Sequence, residues 1–390
     1  MTRNYMSRGK PREAPRFLFV GMHDVQGIAT IRDQVETWCR LSRYRFDLFN
    51  FWGMDSPAGI ALPASLDLNA YDGVLIHCTV SYTPRNLEGL DRDLPVKLRD
   101  YRGLKMMMKQ DEHYMPWLVA DFIGRARLDL VITMAPLSQV AFFYPPARAG
   151  TPRYLAGLTG YVTDEMARMT SPSLERRRID VGYRGSLQHW NFGRLAWEKA
   201  EIGERFREVA QREGLIADIS SRWEDRIPGT AWFDFLRGVR AVLGVESGAS
   251  IIDYEGEVER LTQEYLARNP RATFEEIFTK VLKSFEGNGD YRTVSPRHFE
   301  AAACRCVQVL YEGDYRGIFV PERHYIPLRR DFRNVDDVVR QLRDLRRCQR
   351  MADTAFEEVI AGGRYSYRSF VAEFDAAVGE LLASRRTRLQ

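Results

Sequence analysis

The chain has 390 residues, 45% of them hydrophobic and 28% charged, the balance of a folded globular protein and not of a disordered or low-complexity one. At roughly 150 residues per domain this length predicts two or three domains, each able to bury its own core. Lys and Arg number 57 against 53 acidic residues, a net charge of +4, too small over this length to mark a nucleic-acid binder but compatible with a basic pocket for an anion.

Residues 1–16 are basic and lack the apolar stretch of a signal peptide, so they read as a disordered lead-in. Short β-rich runs follow, RFLFVGM (16–22), RFDLFNFW (45–52), YDGVLIHC (71–78), LKMMMKQD (104–111) and LDLVITMA (128–135), alternating with amphipathic or turn-rich segments. Between the first two, Ile31, Val35, Trp38 and Leu41 recur at helical spacing. Strand, helix, strand repeated in this way predicts a parallel sheet with covered faces, and 17–150 reads as one Rossmann-like domain.

PPARAGTPRY (145–154) and SPSLERRR (171–178) then break the pattern, placing a linker at 151–178. The alternation restarts with IDVGYRGS (179–186), a helix over 194–214, IADISS (216–221), a helix in AWFDFLRGV and RAVLGVES (240–247), which predicts a second Rossmann-like domain over 179–350 with a helical insertion at 255–289. Helices are expected over 351–390, and the two α/β domains are expected to face each other across a hinge. No run reaches the 18 apolar residues of a membrane-spanning helix. Five cysteines (Cys39, Cys78, Cys304, Cys306, Cys348) without a C-x-x-C pair fit neither a disulfide framework nor a zinc site, and suit a reducing cytoplasm.

In open α/β sheets ligands bind beyond the carboxyl ends of the strands, so the residues that follow each predicted strand are the informative ones. Arg184, Gly185 and Ser186 follow the first strand of the second domain, where small residues admit backbone amides to an anion and an Arg can grip phosphate; an ordinary turn is the alternative. Ser247 and Ser250 lie in GVESGAS, read either as a ligand-facing loop or as a capped turn. DYRTVSPRHFEAAACRC (290–306) is the strongest segment. Ser295 is placed to cap a helix opened by Pro296, with Arg292, Thr293 and Arg297 around its amino end for phosphate and Glu300 one turn in for ribose hydroxyls. The three alanines after Glu300 imply a helix packed closely on the sheet. Trp190, Trp197, Trp223 and Trp232 read as core anchors, with Trp190 open to a ligand role as well.

In the first domain His77 ends the strand YDGVLIHC and is either an acid–base group near neutral pH or a hydrogen-bonded core histidine. Asp111, Glu112 and His113 follow the next strand, and adjacent ionisable groups there cost desolvation unless they face a polar cleft; a helix N-terminal cap at Asp111 is the alternative. His23 and Asp24 sit in the loop after the first strand, facing that same cleft or solvent.

VSPRHFEAAACRCVQVLYEGDYRGIFVPERHYIPLRRDFRNVDDVVRQLRD (294–344), with YRGS (183–186), DRIPGTAWFDFLRG (225–238) and LGVESGASIIDYEGE (243–257), resembles the GT-B glycosyltransferases, and among them the bacterial group-1 type related to the spore-maturation CgeB-like proteins. The resemblance implies a GT-B fold, with a nucleoside-diphosphate sugar held by the C-terminal domain, an acceptor by the N-terminal domain, and a C-terminal helix returning toward the latter. It implies a ribose role for Glu300, the later position of the family's E-x7-E signature; the earlier position is Arg292 here, and the usual glycine is Ser295.

The expectation is thus a cytoplasmic transferase moving a sugar from a UDP- or GDP-linked donor to a hydroxyl of a carbohydrate, lipid-linked or protein acceptor, in cell-surface polysaccharide or glycoconjugate assembly. His77, Asp111, Glu112 and His113 would carry the chemistry, His23 and Asp24 would lie on the acceptor side, and no metal, further cofactor or nucleic acid is expected. The basic runs LRDLRRCQR (342–350) and SRRTRLQ (384–390) fit a solvated helix face or peripheral contact with an anionic membrane. The alternatives are a nucleotide-sugar epimerase of the same fold and a non-catalytic glycan-binding or partner subunit.

Overall fold

In the computed structural model, which describes residues 11, 13–23, 29–53, 59–185 and 190–389, the chain divides into two units. One takes the chain up to Leu158, Asp253–Glu257 and everything from Tyr367; the other takes Thr159–Ile252 and Val258–Ser366.

The first unit is a six-stranded parallel sheet of β1 (Arg16–Gly21), β2 (Arg45–Asn50), β3 (Gly73–Ile76), β4 (Leu104–Lys109), β5 (Leu130–Thr133) and β6 (Arg153–Ala156), in the order β2-β1-β3-β4-β5-β6. Strands covered on both faces need apolar side chains on both, which is why Phe17–Val20, Val74–Ile76, Met106–Met108 and Leu130–Ile132 are continuous runs and fully buried. The helix Ala29–Leu41 joins β1 to β2 and buries Ile31, Val35 and Trp38, as the spacing predicts.

Trp38 meets the last helix, Tyr367–Leu389, edge-on at Phe370 and Phe374, with ring centroids 5.1 and 4.8 Å away. Asp375 fastens the contact, its carboxylate accepting from Ser42 Oγ (2.6 Å) and the Arg43 backbone N–H (2.7 Å). The C-terminal helix therefore belongs to the N-terminal unit, as the resemblance implies, and the return begins only at Tyr367; residues 351–366 stay with the second unit. The expected linker at 151–178 is also shorter than drawn, because Arg153–Ala156 pairs with β5 as an edge strand. Pro152 immediately before it is tolerated at an edge, and the proline and glycine density there conceals the strand. The lead-in 1–16 lies mostly outside the described residues.

The second unit centres on a five-stranded parallel sheet of β7 (Ile179–Arg184), β8 (Ala217–Ser220), β9 (Val239–Gly244), β12 (Val307–Tyr311) and β13 (Ile326–Leu328), in the order β13-β12-β9-β7-β8. Its smaller partner is the antiparallel ribbon of β10 (Ser247–Ala249) and β11 (Tyr291–Thr293). On one face Val181, Leu243, Val309 and Leu328 pack with Ile202 and Phe206 of the helix Arg194–Glu213 and Val338 of Val335–Arg343. On the other, Val239 and Val242 pack with Leu236 of the helix Thr230–Gly238 and Ala301 of Pro296–Ala303. Ala301–Ala303 are at most 2% exposed, the close helix–sheet approach that small side chains permit.

The insertion is helical over Glu257–Arg268 and Phe274–Ile277, the latter opened by a capping box between Thr273 and Glu276. Trp197 stacks on Phe274 at 4.7 Å, so it anchors this core as expected. Trp223 does not, being 53% exposed. Arg177 is buried, and its guanidinium donates to the carbonyls of Pro172, Leu236, Val239 and Cys304 at 2.8–3.4 Å. All five cysteines are free and buried, and burial pushes the Cys306 thiol up to about 11, which leaves it inert at neutral pH.

Candidate functional site

The chain leaves β7 for β8 on one side and returns to β9 on the other, so the crevice beyond the carboxyl ends of β7 and β9 is the topological switch point of the second unit. A cavity of about 310 Å³ occupies it, lined by the strand ends Gly182–Gly185 and Val242–Val245 and by side chains of the helices around them. Among the described residues of this lining, Arg184, Lys199, Arg226 and Arg297 are basic and none is a carboxylate.

The helix Pro296–Ala303 presents its amino end to the cavity. Ser295 caps it, Oγ accepting from the Arg297 backbone N–H at 3.3 Å, and Pro296 occupies the first turn, so the positive end of the helix dipole adds to the field of the four cations. His298, one turn in, is buried in the cavity wall, with Nε2 3.1 Å from the Val245 carbonyl oxygen and Nδ1 3.2 Å from Gln308 Oε1. Burial pulls its pKa down to about 4, so the ring is neutral at pH 7. Gly244 makes room for it: a Cβ there would lie 3.0 Å from His298 Cε1 and 2.7 Å from Leu310.

Of the expected donor residues, Arg184, Gly185, Ser247, Ser295 and Arg297 come together here. Arg184 is nevertheless not a loose phosphate grip. Its Nε donates to the Asp225 carbonyl (3.0 Å), Nη1 to the carbonyls of Tyr183 and Asp218 (2.9 Å each) and Nη2 to Asp218 Oδ1 (2.8 Å), and only 12% of the side chain is exposed. It braces the β7–β8 edge.

Ser250 takes the capped-turn alternative, its Oγ accepting from the Leu195 N–H at the start of the helix Arg194–Glu213 (3.1 Å). Arg292 and Thr293 lie on β11 outside the lining, Arg292 paired with Asp290 (2.9 Å) and with the buried Glu246 (3.1 Å). Glu300 is also outside the lining and accepts the indole N–H of Trp232 at 2.7 Å. Ser186 lies outside the described residues. Lys199, Arg226, Trp232, His298 and Gln308 line the cavity without having been singled out for it. Lys199 shares a helix face with Ala196, and Arg226 and Trp232 fall inside DRIPGTAWFDFLRG, which were the available signals.

In the first unit His77 takes the core alternative. It is fully buried, with Nδ1 3.0 Å from Thr79 Oγ1 and Nε2 2.9 Å from Gln34 Oε1, and burial lowers its pKa to about 3, so it is neutral at pH 7 and enclosed. Glu112 is buried too, Oε1 accepting from Thr133 Oγ1 (2.6 Å) and the Met134 N–H (2.7 Å), which makes it a clasp on the end of β5. His113 is buried, and its carbonyl accepts from the Asp253 N–H at 2.9 Å. His23 is buried as well, 3.0 Å from Glu36 Oε1; Asp24 lies outside the described residues. Asp111 alone of Asp111–His113 is not buried, and its backbone is left-handed, with φ 61°. Beside it the Lys109 amine is buried, its pKa lowered by desolvation and partly restored by Asp111 and Glu112.

Among the described residues no group of three or more His, Cys, Asp and Glu is placed to hold a metal ion, and no helix is long and apolar enough to cross a membrane.

No family model and no curated protein matches the chain. Solved structures similar to it include an alpha-glucosyltransferase in complex with UDP and a 13-mer DNA (9% identity, 94% of this chain and 100% of that one, TM-score 0.48). HepE from Anabaena in complex with UDP-glucose is another (12%, 95% and 100%, TM-score 0.49), as is sucrose-phosphate synthase from Thermosynechococcus elongatus (12%, 95% and 100%, TM-score 0.48). With TM-scores below 0.5, the fold class rests on the strand orders and connections above. Two Rossmann-like parallel α/β units, with the last helix returned to the first, are the domain composition of the GT-B fold.

Proposed function

We propose that the chain is a glycosyltransferase that binds a nucleoside-diphosphate sugar in the second unit and transfers the sugar to a hydroxyl acceptor. The supporting observation is the cavity at the switch point of β7 and β9, whose described lining holds four basic side chains, a helix amino end and no carboxylate. A diphosphate is the small, doubly charged group that such a lining suits, and Arg297 and Lys199 with the amino end of Pro296–Ala303 would take its charge. Ser247 and Ser295 add hydroxyls along the same wall. Fixed cations placed where the leaving diphosphate gains charge can perform the role a metal plays elsewhere, so the proposed reaction needs none.

Asp111 is the acceptor-side group in this reading. Its strained backbone at the end of β4 and its partial exposure support a base that takes a hydroxyl proton. Carbohydrate, lipid-linked and protein hydroxyls are the acceptor classes, and a group-1 enzyme resembling the CgeB-like type, working in the cytoplasm on cell-surface polysaccharide or glycoconjugate, is the setting proposed. A thermal-shift screen against UDP, GDP, ADP, dTDP and CMP tests the reading, because a ligand that binds only the folded state raises its melting temperature. At least one nucleoside diphosphate is expected to do so at millimolar concentration, and release of sugar from the matching donor should follow. No shift with any of the five overturns the assignment.

A further inference from the structure

Beside the cavity two stacked rings lie between two guanidinium groups. The Arg184 guanidinium lies 4.7 Å from the Phe235 centroid, Phe235 stacks on Trp232 at 5.5 Å with 20° between the planes, and the Arg297 guanidinium lies 5.3 Å over the Trp232 ring. Trp232 and Arg297 line the cavity and Phe235 does not, so Phe235 backs the indole while the Arg297 side of the ring meets the opening. The bond from Trp232 Nε1 to Glu300 Oε2 fixes the rotation of the indole about its own plane. Glu300 is itself absent from the lining.

Resting on the reading of this cavity as a nucleotide site, we propose that Trp232 is the platform on which the nucleobase stacks and that Glu300 is a positioning residue acting through the indole N–H. An aromatic face that holds a guanidinium in the free protein is suited to a flat heteroaromatic ring, since both are attracted by the π-face and by dispersion. On binding, the base takes the place of the Arg297 guanidinium, which turns to the diphosphate at the amino end of the helix that carries it. This gives Glu300 a different task from the ribose contact implied by the resemblance, and the two can be separated.

Isothermal titration of the full chain with UDP, GDP, ADP, dTDP, CMP and inorganic pyrophosphate provides the test. Trp232→Ala should weaken whichever nucleotide the wild type binds on the order of tenfold to a hundredfold, the range of base–aromatic stacking, while leaving pyrophosphate affinity within about twofold. Trp232→Phe keeps a ring on Phe235 and guards against a folding defect. Glu300→Ala should weaken the nucleotide in the wild-type background and have no effect in the Trp232→Phe background, where there is no N–H to hold. Glu300→Gln, whose amide oxygen can still accept that N–H, should restore most of the loss. Equal loss from Glu300→Ala in both backgrounds, or loss confined to ribonucleotides over their 2′-deoxy forms, would show direct contact with the ligand and overturn the positioning role. Unchanged nucleotide affinity in Trp232→Ala overturns the platform alone, whereas failure of the wild type to bind any of these six ligands overturns the cavity assignment and this proposal together.

Discussion

Replacing Arg184 by methionine keeps most of the side chain's volume and deletes four hydrogen bonds, three to backbone carbonyls and one to Asp218 Oδ1. Hydrogen bonds from a charged donor contribute about 1.5–3 kcal/mol each, but bonds made by one group are not additive. The Asp218 carboxylate is 44% exposed, so its share is discounted for solvent screening. The net cost is estimated at about 2–4 kcal/mol, which for a unit of this size lowers its melting temperature by roughly 4–16 °C. Thermal melts and urea titrations of both proteins measure this, and the nucleotide-induced shift is then recorded on each. The expected result is a destabilised second unit that still responds to nucleotide once it is folded at lower temperature. A variant with the wild-type melting temperature and no nucleotide response would refute the bracing role and make Arg184 a direct anion ligand.

Arg177→Met should cost more, about 4 kcal/mol or above, because it strips charge-assisted donors from a cluster of buried carbonyls; Arg177→Lys should not rescue it, since an ammonium lacks the planar fork, and a soluble variant melting within a few degrees of wild type rejects this. His77 has a folded pKa near 3 against an ordinary 6.5, so between those values the unfolded chain binds the extra proton and wild-type stability falls as pH drops, by up to about 1.4 kcal/mol per pH unit. His77→Gln, though less stable at pH 7, should therefore lose less between pH 6.5 and 4 in urea titrations; parallel losses contradict the assignment. Arg297→Ala should weaken nucleoside-diphosphate binding by about tenfold or more, as loss of a charge-assisted bond does, with no change in melting temperature beyond a few degrees; unaltered affinity by calorimetry removes it from the site. Asp111→Asn should lower turnover by about a hundredfold or more while leaving donor affinity unchanged, and normal turnover disproves a base at that position.

The parallel sheets were legible because β1, β4, β9 and β12 each carry three or four consecutive apolar residues, and the helix near residue 300 because Ser295 and Pro296 mark its start and the alanines mark its packed face. β6 was hidden by the prolines and glycine around it, and β10 and β11 by their length of three residues each. For the candidate site, position in the sheet was readable and commitment was not. Sequence places Arg184, Glu112 and Ser250 at strand ends, but whether such a polar side chain faces a ligand or ties down its own backbone depends on carbonyls and amides brought from elsewhere in the chain. Trp232 does both: it packs against the core cluster of Leu236, Val239 and Val242, as expected of an anchor, and it also lines the cavity, with its indole N–H bound to Glu300, 68 residues on.

The seat of Trp38 against Phe370 and Phe374 has a bearing on biosynthesis. The bond between Ser42 and Asp375 spans 333 residues, so during translation the first sheet emerges with an aromatic gap that its own neighbours in sequence do not fill. At ribosomal speeds of about 5–20 residues per second that gap persists on the order of tens of seconds. For that interval the apolar seat around Trp38 stays uncovered, and the helix Tyr367–Leu389 is the stopper that closes it.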